Sequence, residues 1–313
     1  MRVVFVGTGE IGVPSYRALV SAPGIHLVGV VTQPDRPAGR KLEPTPSPVK
    51  RAVAGSGVVL LQPEKINRPE VIEELRALVP DVLVVCAYGQ ILKPAVLELP
   101  RMGCLNLHAS LLPRHRGASC IQAAILAGDA RTGMTVMWMD AGLDTGDILL
   151  QEAFPMGRRA TAGALHDRLA AQAPGLLLRA LSLVREGRAP RLPQDAGLAT
   201  YAPKLSKADG RLDWSRPLCE IDRRVRAMSP WPSAYTYFED HGQRRLLKVF
   251  RIILCRKVRG RPGEILRVGK EGVWVGAGDG GILLREVQME GRARMPAADF
   301  ARGQKLMPGM IFD

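Results

Sequence analysis

The feature that most constrains the fold is a change of pattern along the chain near residue 187. Before that point, short apolar runs alternate with helical stretches, from a strand over residues 2–6 to a long helix over about 161–186. Alternation of this kind is typical of helices packed on both faces of a mostly parallel sheet. The sequence therefore predicts an α/β, Rossmann-like, doubly wound domain over residues 1–189.

The pattern beyond residue 187 is of another kind. Prolines and polar residues replace the regular alternation up to about residue 207, as in a linker. After one helix near 217–227, β-rich runs follow at 234–238, 246–254, 263–268, 272–275 and 281–287, separated by glycines. Five short strands fit a small barrel. We expect a linker over 190–208 and a C-terminal OB-like β-barrel domain over 209–313.

Charge indicates the class of partner. The net charge is +14, and residues 209–313 hold 20 Lys and Arg against 13 Asp and Glu. Residues 1–208 hold 24 against 17, so the same excess is spread over twice the length. A basic domain favours a nucleic-acid partner, although a generally arginine-rich proteome would give the same excess.

Other residue types exclude several classes of protein. No apolar run approaches the ~18 residues of a membrane span, and the first strand begins where a signal peptide would lie, so a cytoplasmic protein without membrane contact is expected. The five cysteines are scattered without a C-x-x-C pair, and we interpret them as reduced, buried thiols. The five histidines form no metal-spaced cluster, so no metal is expected.

A glycine-rich turn allows a dinucleotide-binding alternative. Gly7, Gly9 and Gly12 fit G-x-G-x-x-G after a strand, and Asp35 lies at about the distance of a ribose-binding acid. However, Asp35 lies beyond the second strand, in a proline-rich loop. Glycines that form a tight strand-to-helix turn are a sufficient explanation.

The residues that carry chemistry are an amide, an imidazole and a carboxylate at loop ends next to strands. Asn106 and His108 stand two apart, and Asp144 follows in Leu-Asp-Thr-Gly, without a serine or cysteine nucleophile in the usual motifs. An Asn amide and a protonated His stabilise negative charge on a carbonyl oxygen. A nearby Asp removes a proton from an amine and raises the imidazole pKa. This trio fits direct transfer of an acyl group to an amine.

These motifs resemble those of the folate-dependent formyltransferases, and the resemblance spans both halves of the chain. It is carried by Thr32 to Arg40, Ala87-Tyr88-Gly89, Leu111-Leu112-Pro113-Arg114, Gly128-Asp129, Met139-Asp140, Ala202-Pro203-Lys204-Leu205 and Pro230-Trp231-Pro232. The resemblance implies 10-formyltetrahydrofolate as formyl donor, tetrahydrofolate as product and initiator methionyl-tRNA as acceptor. It implies that Asn106, His108 and Asp144 are catalytic, and a monomer is expected.

The resemblance also implies two binding regions. Folate would contact Ser110, Leu111, Leu112, Pro113, Cys86, Ala87, Tyr88, Gln90 and Asp140. The alternative for Leu111 and Leu112 is a place in the core. The loop over 33–48, whose prolines exclude regular structure, would grip the tRNA acceptor end through Arg36, Arg40 and Lys41.

The sequence departs from the resemblance at two places, and one further residue is interpreted from its neighbours. The loop departs from the family at Lys41-Leu42-Glu43, where many relatives carry additional lysines. Ile11 stands where the family has an aromatic residue lining the methionine pocket. His115, in the basic turn Arg114-His115-Arg116, is interpreted as a surface group or an RNA contact.

Alternative functions remain open from sequence. A sugar-amine formyltransferase or a formyl hydrolase would use the same trio without needing a basic C-terminal domain. A non-catalytic OB-type RNA-binding protein would not need the trio intact. Cations of the C-terminal domain form the predicted tRNA surface: Arg244, Arg245, Lys248, Arg256, Lys257, Arg259 and Arg261.

Overall fold

The structure, a computed structural model, describes residues 1–38, 43–240 and 242–313. These residues form two compact units. The first comprises residues 1–120, 130–156 and 165–204, and the second comprises 121–129, 157–164 and 205–313. Most of the predicted linker therefore packs with the first unit. The division into domains at 1–189, 190–208 and 209–313 stays a prediction.

The strands and helices up to residue 185 follow the predicted alternation. They are β1 (Arg2–Gly7), α1 (Val13–Ser21), β2 (His26–Val31), β3 (Arg36–Ala38), β4 (Glu43–Thr45), α2 (Pro48–Val53), β5 (Leu60–Leu61), α3 (Pro69–Ala77), β6 (Val82–Cys86), α4 (Pro94–Leu97), β7 (Cys104–His108), α5 (Cys120–Ala127), β8 (Arg131–Trp138), β9 (Ile148–Pro155) and α6 (Ala162–Arg185).

The first unit is built on a seven-stranded sheet. Its order is β5-β2-β1-β6-β7-β8-β9. The first five strands in this order, β5, β2, β1, β6 and β7, are parallel. β8 and β9 are added antiparallel at one edge. Every residue of β6 is buried, as is every residue of β1 after its first, because apolar side chains cover both faces of a parallel sheet. The predicted mostly parallel, Rossmann-like fold is confirmed.

The prediction that residues 33–48 lack regular structure is wrong. β3 and β4 pair antiparallel as a separate two-stranded ribbon, with Pro37 opposite Pro44. A proline lacks an N–H but can occupy a strand that has no neighbour on its other side. The helix α2 then begins at Pro48, where Ser47 accepts a hydrogen bond from the Lys50 N–H as its N-cap.

The glycines of the first turn are explained by packing. A Cβ on Gly7 would lie 2.8 Å from the Cys86 carbonyl oxygen, and one on Gly12 would lie 3.1 Å from the Phe5 ring. Gly9 has ordinary contact distances. Close approach of the turn to β1 and β6 accounts for two of the three glycines without a dinucleotide.

The second unit is an antiparallel β domain with helices. Its elements are α7 (Leu218–Ala227), β10 (Ala234–Asp240), β11 (Gln243–Cys255), β12 (Ile265–Gly269), β13 (Gly272–Ala277), β14 (Gly280–Met289), β15 (Met295–Pro296) and α8 (Ala297–Gly303). The strand order is β10-β11-β14-β13-β12, with β15 paired to β14. The predicted C-terminal β domain is confirmed, and its sheet is antiparallel, but no closed barrel is found in the described residues.

The two edge strands of this sheet are bridged by the last residues of the chain. Asp313 exchanges two backbone hydrogen bonds with Tyr237 of β10, both of 2.9 Å. On the other side, the Phe312 N–H donates to the Gly263 oxygen, and the Met310 oxygen accepts from Ile265 of β12. Within the described residues, the sheet is not closed by direct pairing of β10 with β12. The terminal segment connects them instead.

Two predictions about residue classes are tested directly. No helix in the described part of the chain is long and apolar enough to cross a membrane. All five cysteines are free thiols, as predicted, but only Cys86, Cys104 and Cys120 are buried. Cys219 is exposed and Cys255 is half-buried, so the expectation of burial is wrong for these two.

Candidate active site

The candidate site lies where the parallel strands β1, β6 and β7 end. Strand register places Gly7 beside Cys86 and Val85 beside Asn106. The glycine turn, the loop after β6 and the end of β7 therefore meet at one edge of the sheet. In open α/β sheets, ligands bind beyond the carboxyl ends of the strands.

Three side chains converge at this edge. Asn106 and His108 stand two apart on β7 and so project from the same face of the sheet. Asp144 reaches them from the loop between β8 and β9. Its Oδ1 accepts from Asn106 Nδ2 at 3.2 Å, and its Oδ2 lies 3.5 Å from His108 Nδ1. The structure brings together the three residues that the sequence predicted to be catalytic.

Both ring nitrogens of His108 face acceptors. Nε2 lies 2.9 Å from the His115 carbonyl oxygen, while Nδ1 faces the Asp144 carboxylate. Since neither acceptor can donate, the protonated imidazolium suits this environment. Burial lowers the pKa of His108, but the Cys120 side chain, the Asp144 carboxylate and the His115 carbonyl outweigh it and raise the pKa from 6.5 to about 9.

The Asp144 carboxylate is held by donors on each oxygen. Besides the Asn106 amide, the Gly117 N–H donates to Oδ2 at 2.8 Å. The backbone of Asp144 has a left-handed φ of 53°. Asp tolerates this conformation better than most residues do. The following Gly146 is required by packing, because a Cβ there would lie 1.9 Å from the Trp138 carbonyl oxygen.

The turn over 110–113 is fixed from inside by Thr135 of β8. Thr135 Oγ1 donates to the Ser110 oxygen at 2.7 Å and accepts from the Leu112 N–H at 3.2 Å. Gln151 Nε2 donates to the Leu112 oxygen at 2.8 Å and to Thr135 Oγ1 at 3.0 Å. Leu112 is buried, whereas Leu111 and Pro113 are half-buried. These hydrogen bonds hold the turn in one position, directly after His108 and Ala109 in sequence.

The loop after β6 contains the other predicted folate contacts. Cys86 and Tyr88 are buried, and burial raises the pKa of each to about 12. The Tyr88 ring packs in the hydrophobic core. The Gln90 amide accepts from the Ile66 N–H at 2.9 Å and donates to the Glu64 oxygen at 3.1 Å. Ala87 is exposed, with a left-handed φ of 49°.

Asp140 organises the loop that carries Asp144. Its Oδ1 accepts from the Gly142 N–H at 3.0 Å and from Thr145 Oγ1 at 2.7 Å. Side chains of this kind stabilise tight turns. Between these anchors, Leu143 is 53% exposed, an apolar side chain next to Asp144 in sequence.

The interpretation of His115 as a surface group is wrong. His115 and Arg116 are both buried. The His115 N–H donates to Thr200 Oγ1 at 2.8 Å, and the Arg116 guanidinium donates to Gln194 Oε1. A run of basic residues suggests solvent exposure, and Arg114 is exposed, but polar partners from residues 194–202 satisfy His115 and Arg116 inside the fold.

Sequence reasoning missed the residues that hold this site from a distance. They are Gly117, Thr135, Gln151, Gln194 and Thr200. Gln194 lies in the predicted linker, where its Nε2 donates to the oxygens of Asp144 at 2.9 Å and Gly146 at 2.7 Å. No periodicity or motif marks such residues, because their partners lie far away in sequence.

The predicted tRNA contacts are placed only in part. Arg36 is exposed on β3 and forms an ion pair with Glu64 at 3.2 Å. Arg40 and Lys41 lie outside the described residues. Among the C-terminal cations, Arg244 pairs with Asp313 and stacks on Tyr237. Arg256 and Lys257 are exposed in the turn after β11.

The described residues contain no group of three His, Cys, Asp or Glu side chains able to hold a metal. The site's own chemistry comes from hydrogen-bond donors, a cation and a carboxylate. The second Asn106 N–H has no protein acceptor within the described residues, so it can donate to a reacting oxygen. The site can therefore stabilise a developing oxyanion and accept a proton close to it.

Sequence comparison places both parts of the chain in known families. Residues 1–181 match the family described as "Formyl transferase", and residues 204–305 match "Formyl transferase, C-terminal domain". A methionyl-tRNA formyltransferase of Methylacidiphilum infernorum is 49% identical over 99% of this chain and 98% of its own length. One of Geobacter sulfurreducens is 45% identical over 99% of this chain and 96% of its own length.

A solved structure supports the fold. The N-formyltransferase of Helicobacter canadensis, solved with folinic acid and dTDP-3-aminofucose, matches with a TM-score of 0.65 at 16% identity. The match covers 92% of this chain and 98% of that one. At such low identity the likeness concerns the architecture.

Proposed function

The chain belongs to the family of methionyl-tRNA formyltransferases, and from this premise we infer that it transfers the formyl group of 10-formyltetrahydrofolate to the α-amino group of initiator methionyl-tRNA for translation initiation. The structural observation that best supports this chemistry is the cluster formed by Asn106, His108 and Asp144. It supplies oxyanion donors and a proton acceptor without a nucleophile, so the amine attacks the formyl carbon directly.

We propose the following roles. Asn106 donates its free N–H to the formyl oxygen as negative charge develops there. His108 remains protonated and stabilises the same negative charge. The proton on its Nδ1 is shared between the Asp144 carboxylate and the formyl oxygen. The 3.5 Å separation from Asp144 is loose enough to allow this sharing.

Asp144 takes up the proton that the attacking amine loses, directly or through one water. The new nitrogen–carbon bond forms as the bond from the formyl carbon to the folate nitrogen breaks. A proton must then reach the departing nitrogen. The pair formed by Asp144 and His108 can pass it on, which leaves the enzyme in its starting state.

Two exposed apolar side chains lie in or directly after loops that carry predicted folate contacts, and they would suit a flat, partly polar heterocycle such as the pterin of folate. Ile91, beyond the loop after β6, is 70% exposed, and Leu143 is exposed in the loop of Asp140. Exposed apolar side chains with backbone polar groups between them suit such a ligand. We propose that folate lies between these loops and the turn from Ser110 to Pro113.

The contribution of individual folate residues differs with their placement. Tyr88 has its ring in the core and Gln90 has its amide bonded to residues 64 and 66, so we propose that they contact folate through backbone groups. Cys86, Leu112 and Asp140 position their loops. We also propose that Arg36, Arg40 and Lys41 contact the acceptor end of the tRNA, and that the protein works as a cytoplasmic monomer.

The test is an assay with 10-formyltetrahydrofolate and three acceptors: initiator methionyl-tRNA, elongator methionyl-tRNA and an amino-sugar nucleotide. We expect rapid formylation of the initiator and at least about tenfold lower kcat/KM for the elongator. Preferential formylation of the sugar nucleotide would overturn the proposed function. Light scattering with and without tRNA measures the oligomeric state.

A further inference from the structure

Gln194 connects three segments of the first unit. Its Nε2 donates to the carbonyl oxygens of Asp144 and Gly146, at 2.9 and 2.7 Å. Its Oε1 accepts from Arg116 Nε at 3.1 Å and from Arg116 Nη2 at 2.8 Å. One side chain thus bonds to the loop of the catalytic carboxylate on one side and to the basic turn after β7 on the other.

The orientation of this amide is fixed by its partners. The two carbonyl oxygens can only accept, and the guanidinium can only donate. A flipped amide would place its oxygen against two oxygens and its nitrogen against a cation. Arg116 is buried, and its charge-assisted bonds hold the amide oxygen in place. Gln194 therefore has one stable arrangement with four well-directed hydrogen bonds.

The segment that carries Gln194 is itself anchored on both sides. Leu192 exchanges two backbone hydrogen bonds with Ile148, of 2.8 and 3.0 Å. Further along, the Ala202 N–H donates to the Arg116 oxygen at 2.7 Å. These hydrogen bonds give Gln194 a fixed base from which to hold another loop.

The loop that Gln194 holds needs outside support. Asp144 has a left-handed φ of 53° and must present both carboxylate oxygens to donors from different segments. The Gly117 N–H, one of these donors, directly follows the residue bonded to Gln194. Gln194 thus fixes the distance between the Asp144 carbonyl and the segment that supports its carboxylate.

We propose that Gln194 is a positioning residue for formyl transfer, which holds the backbone of Asp144 and Gly146 so that the Asp144 carboxylate faces His108 and Asn106. It touches no substrate in this proposal and acts only through Asp144. The inference rests on the proposed function for its kinetic test, but its effect on His108 can be measured without any substrate.

The kinetic test is a double-mutant cycle with Gln194→Met and Asp144→Asn. Methionine keeps the length of glutamine and removes all four hydrogen bonds. We expect Gln194→Met to lower kcat about 10- to 100-fold, since small misplacements of a catalytic group have effects of this size. The KM for 10-formyltetrahydrofolate and the KM for initiator methionyl-tRNA should each change less than about threefold. In the Asp144→Asn background, Gln194→Met should lower kcat less than about threefold further, because the residue that it positions is already impaired.

The substrate-free test is an NMR titration of the His108 ring. His108 faces Asp144, Cys120 and the His115 carbonyl, and Cys86 lies beside Cys120. Loosening Asp144 removes one of the influences that raise the His108 pKa, so this pKa should fall in Gln194→Met. Gln194→Glu keeps the bond to Arg116 but cannot donate to the two carbonyls. It should lower kcat to a similar extent, and it serves if the methionine variant does not fold.

Gln288→Met is the matched control, because Gln288 also donates to a backbone oxygen, that of Arg292 at 2.6 Å, but lies on β14. It should retain wild-type kcat and the wild-type His108 pKa. Equal reductions of kcat from Gln194→Met in both Asp144 backgrounds, or an unchanged His108 pKa, would overturn the proposal. An inactive wild-type protein whose His108 pKa still responds to Gln194→Met would overturn the proposed function and leave the positioning role standing.

Discussion

At the scale of single residues, His108 decides how the site works. Its ring is buried between two acceptors and near a third polar side chain, and its pKa is raised from 6.5 to about 9. A histidine held in this way is a cation at neutral pH and a poor base. In the proposed mechanism the base is therefore Asp144, and His108 is a fixed positive charge next to the reacting oxygen.

This assignment predicts the sign of the pH dependence. Activity requires protonated His108, so kcat should fall as pH rises through about 9, tenfold per unit above it. The acceptor α-amine, with an ordinary pKa of about 7.7–8.0, must lose its proton and limits the rate at lower pH. A pH profile of kcat measures both limbs. Asp144→Asn should shift the alkaline limb to lower pH. A rate that keeps increasing above pH 9 would contradict a cationic role for His108.

Removing either oxyanion donor should affect the chemical step most. We expect Asn106→Ala and His108→Ala each to lower kcat by about 10²–10³. The tRNA KM should change little, because neither side chain contacts phosphates in the proposed arrangement. His166→Ala is the matched control for the histidine, since His166 also lies beside a carboxylate, 3.0 Å from Asp167, but is not part of the cluster. Single-turnover rates separate this effect from product release; a change confined to KM would contradict the roles.

At the scale of elements, helices and strands with a clear hydrophobic period are predictable from the sequence. Short helices without such a period are not. The long helix predicted over 161–186 is α6 (Ala162–Arg185), and all five predicted C-terminal strands exist. In contrast, the pattern does not predict α2, because its capping pair, Ser47 and Pro48, lies in a proline-rich stretch that resembles a loop. The short helix α8 also escapes prediction, since seven residues give too little periodicity to recognise.

The site is predictable to the extent that its residues lie in motifs. Asn106 and His108 are two apart on one strand, so their common face follows from the sequence. Gln194 and Asp144 are separated by 50 residues, and Thr135 and Ser110 by 25. Such contacts depend on how strands and loops pack in space, which local patterns do not encode.

The turn over 110–113 gives a prediction at this scale. Thr135→Val keeps the shape of the side chain but removes the hydroxyl shared by the backbone of Ser110 and Leu112 and by the Gln151 amide. We expect the KM for 10-formyltetrahydrofolate to rise about three- to tenfold, since a buried N–H loses its acceptor and the turn loosens. The tRNA KM should stay nearly constant.

The control for this variant is Thr132→Val. Thr132 is buried on the same strand, and its side chain makes no hydrogen bond within the described residues. It should leave both KM values unchanged. If both variants raised the KM for 10-formyltetrahydrofolate equally, the cause would be a general disturbance of β8 and not the loss of hydrogen bonds to the turn.

At the scale of the whole molecule, we expect the positive charge to affect the binding of tRNA and not the chemical step. The net charge is +14, and the C-terminal residues 209–313 contribute an excess of seven cations in one third of the length. Two of these cations, Arg211 and Arg244, already form ion pairs with Asp313. Within the described residues, Arg256 and Lys257 form no ion pair, and both are exposed in one turn. They are the better candidates for binding phosphates.

We therefore expect the tRNA KM to rise steeply with salt while kcat stays nearly flat, because each cation that binds a phosphate releases counterions. The double variant Arg256→Gln and Lys257→Gln should raise the tRNA KM and reduce the slope of log KM against log salt by about one for each phosphate-binding cation removed. The matched control, Arg68→Gln with Arg76→Gln, removes the same charge from cations that already pair with Glu70 and Glu73. It should leave the slope unchanged. A tRNA KM that is constant from low to moderate salt would mean that the positive charge reflects composition and that the tRNA is held by other interactions.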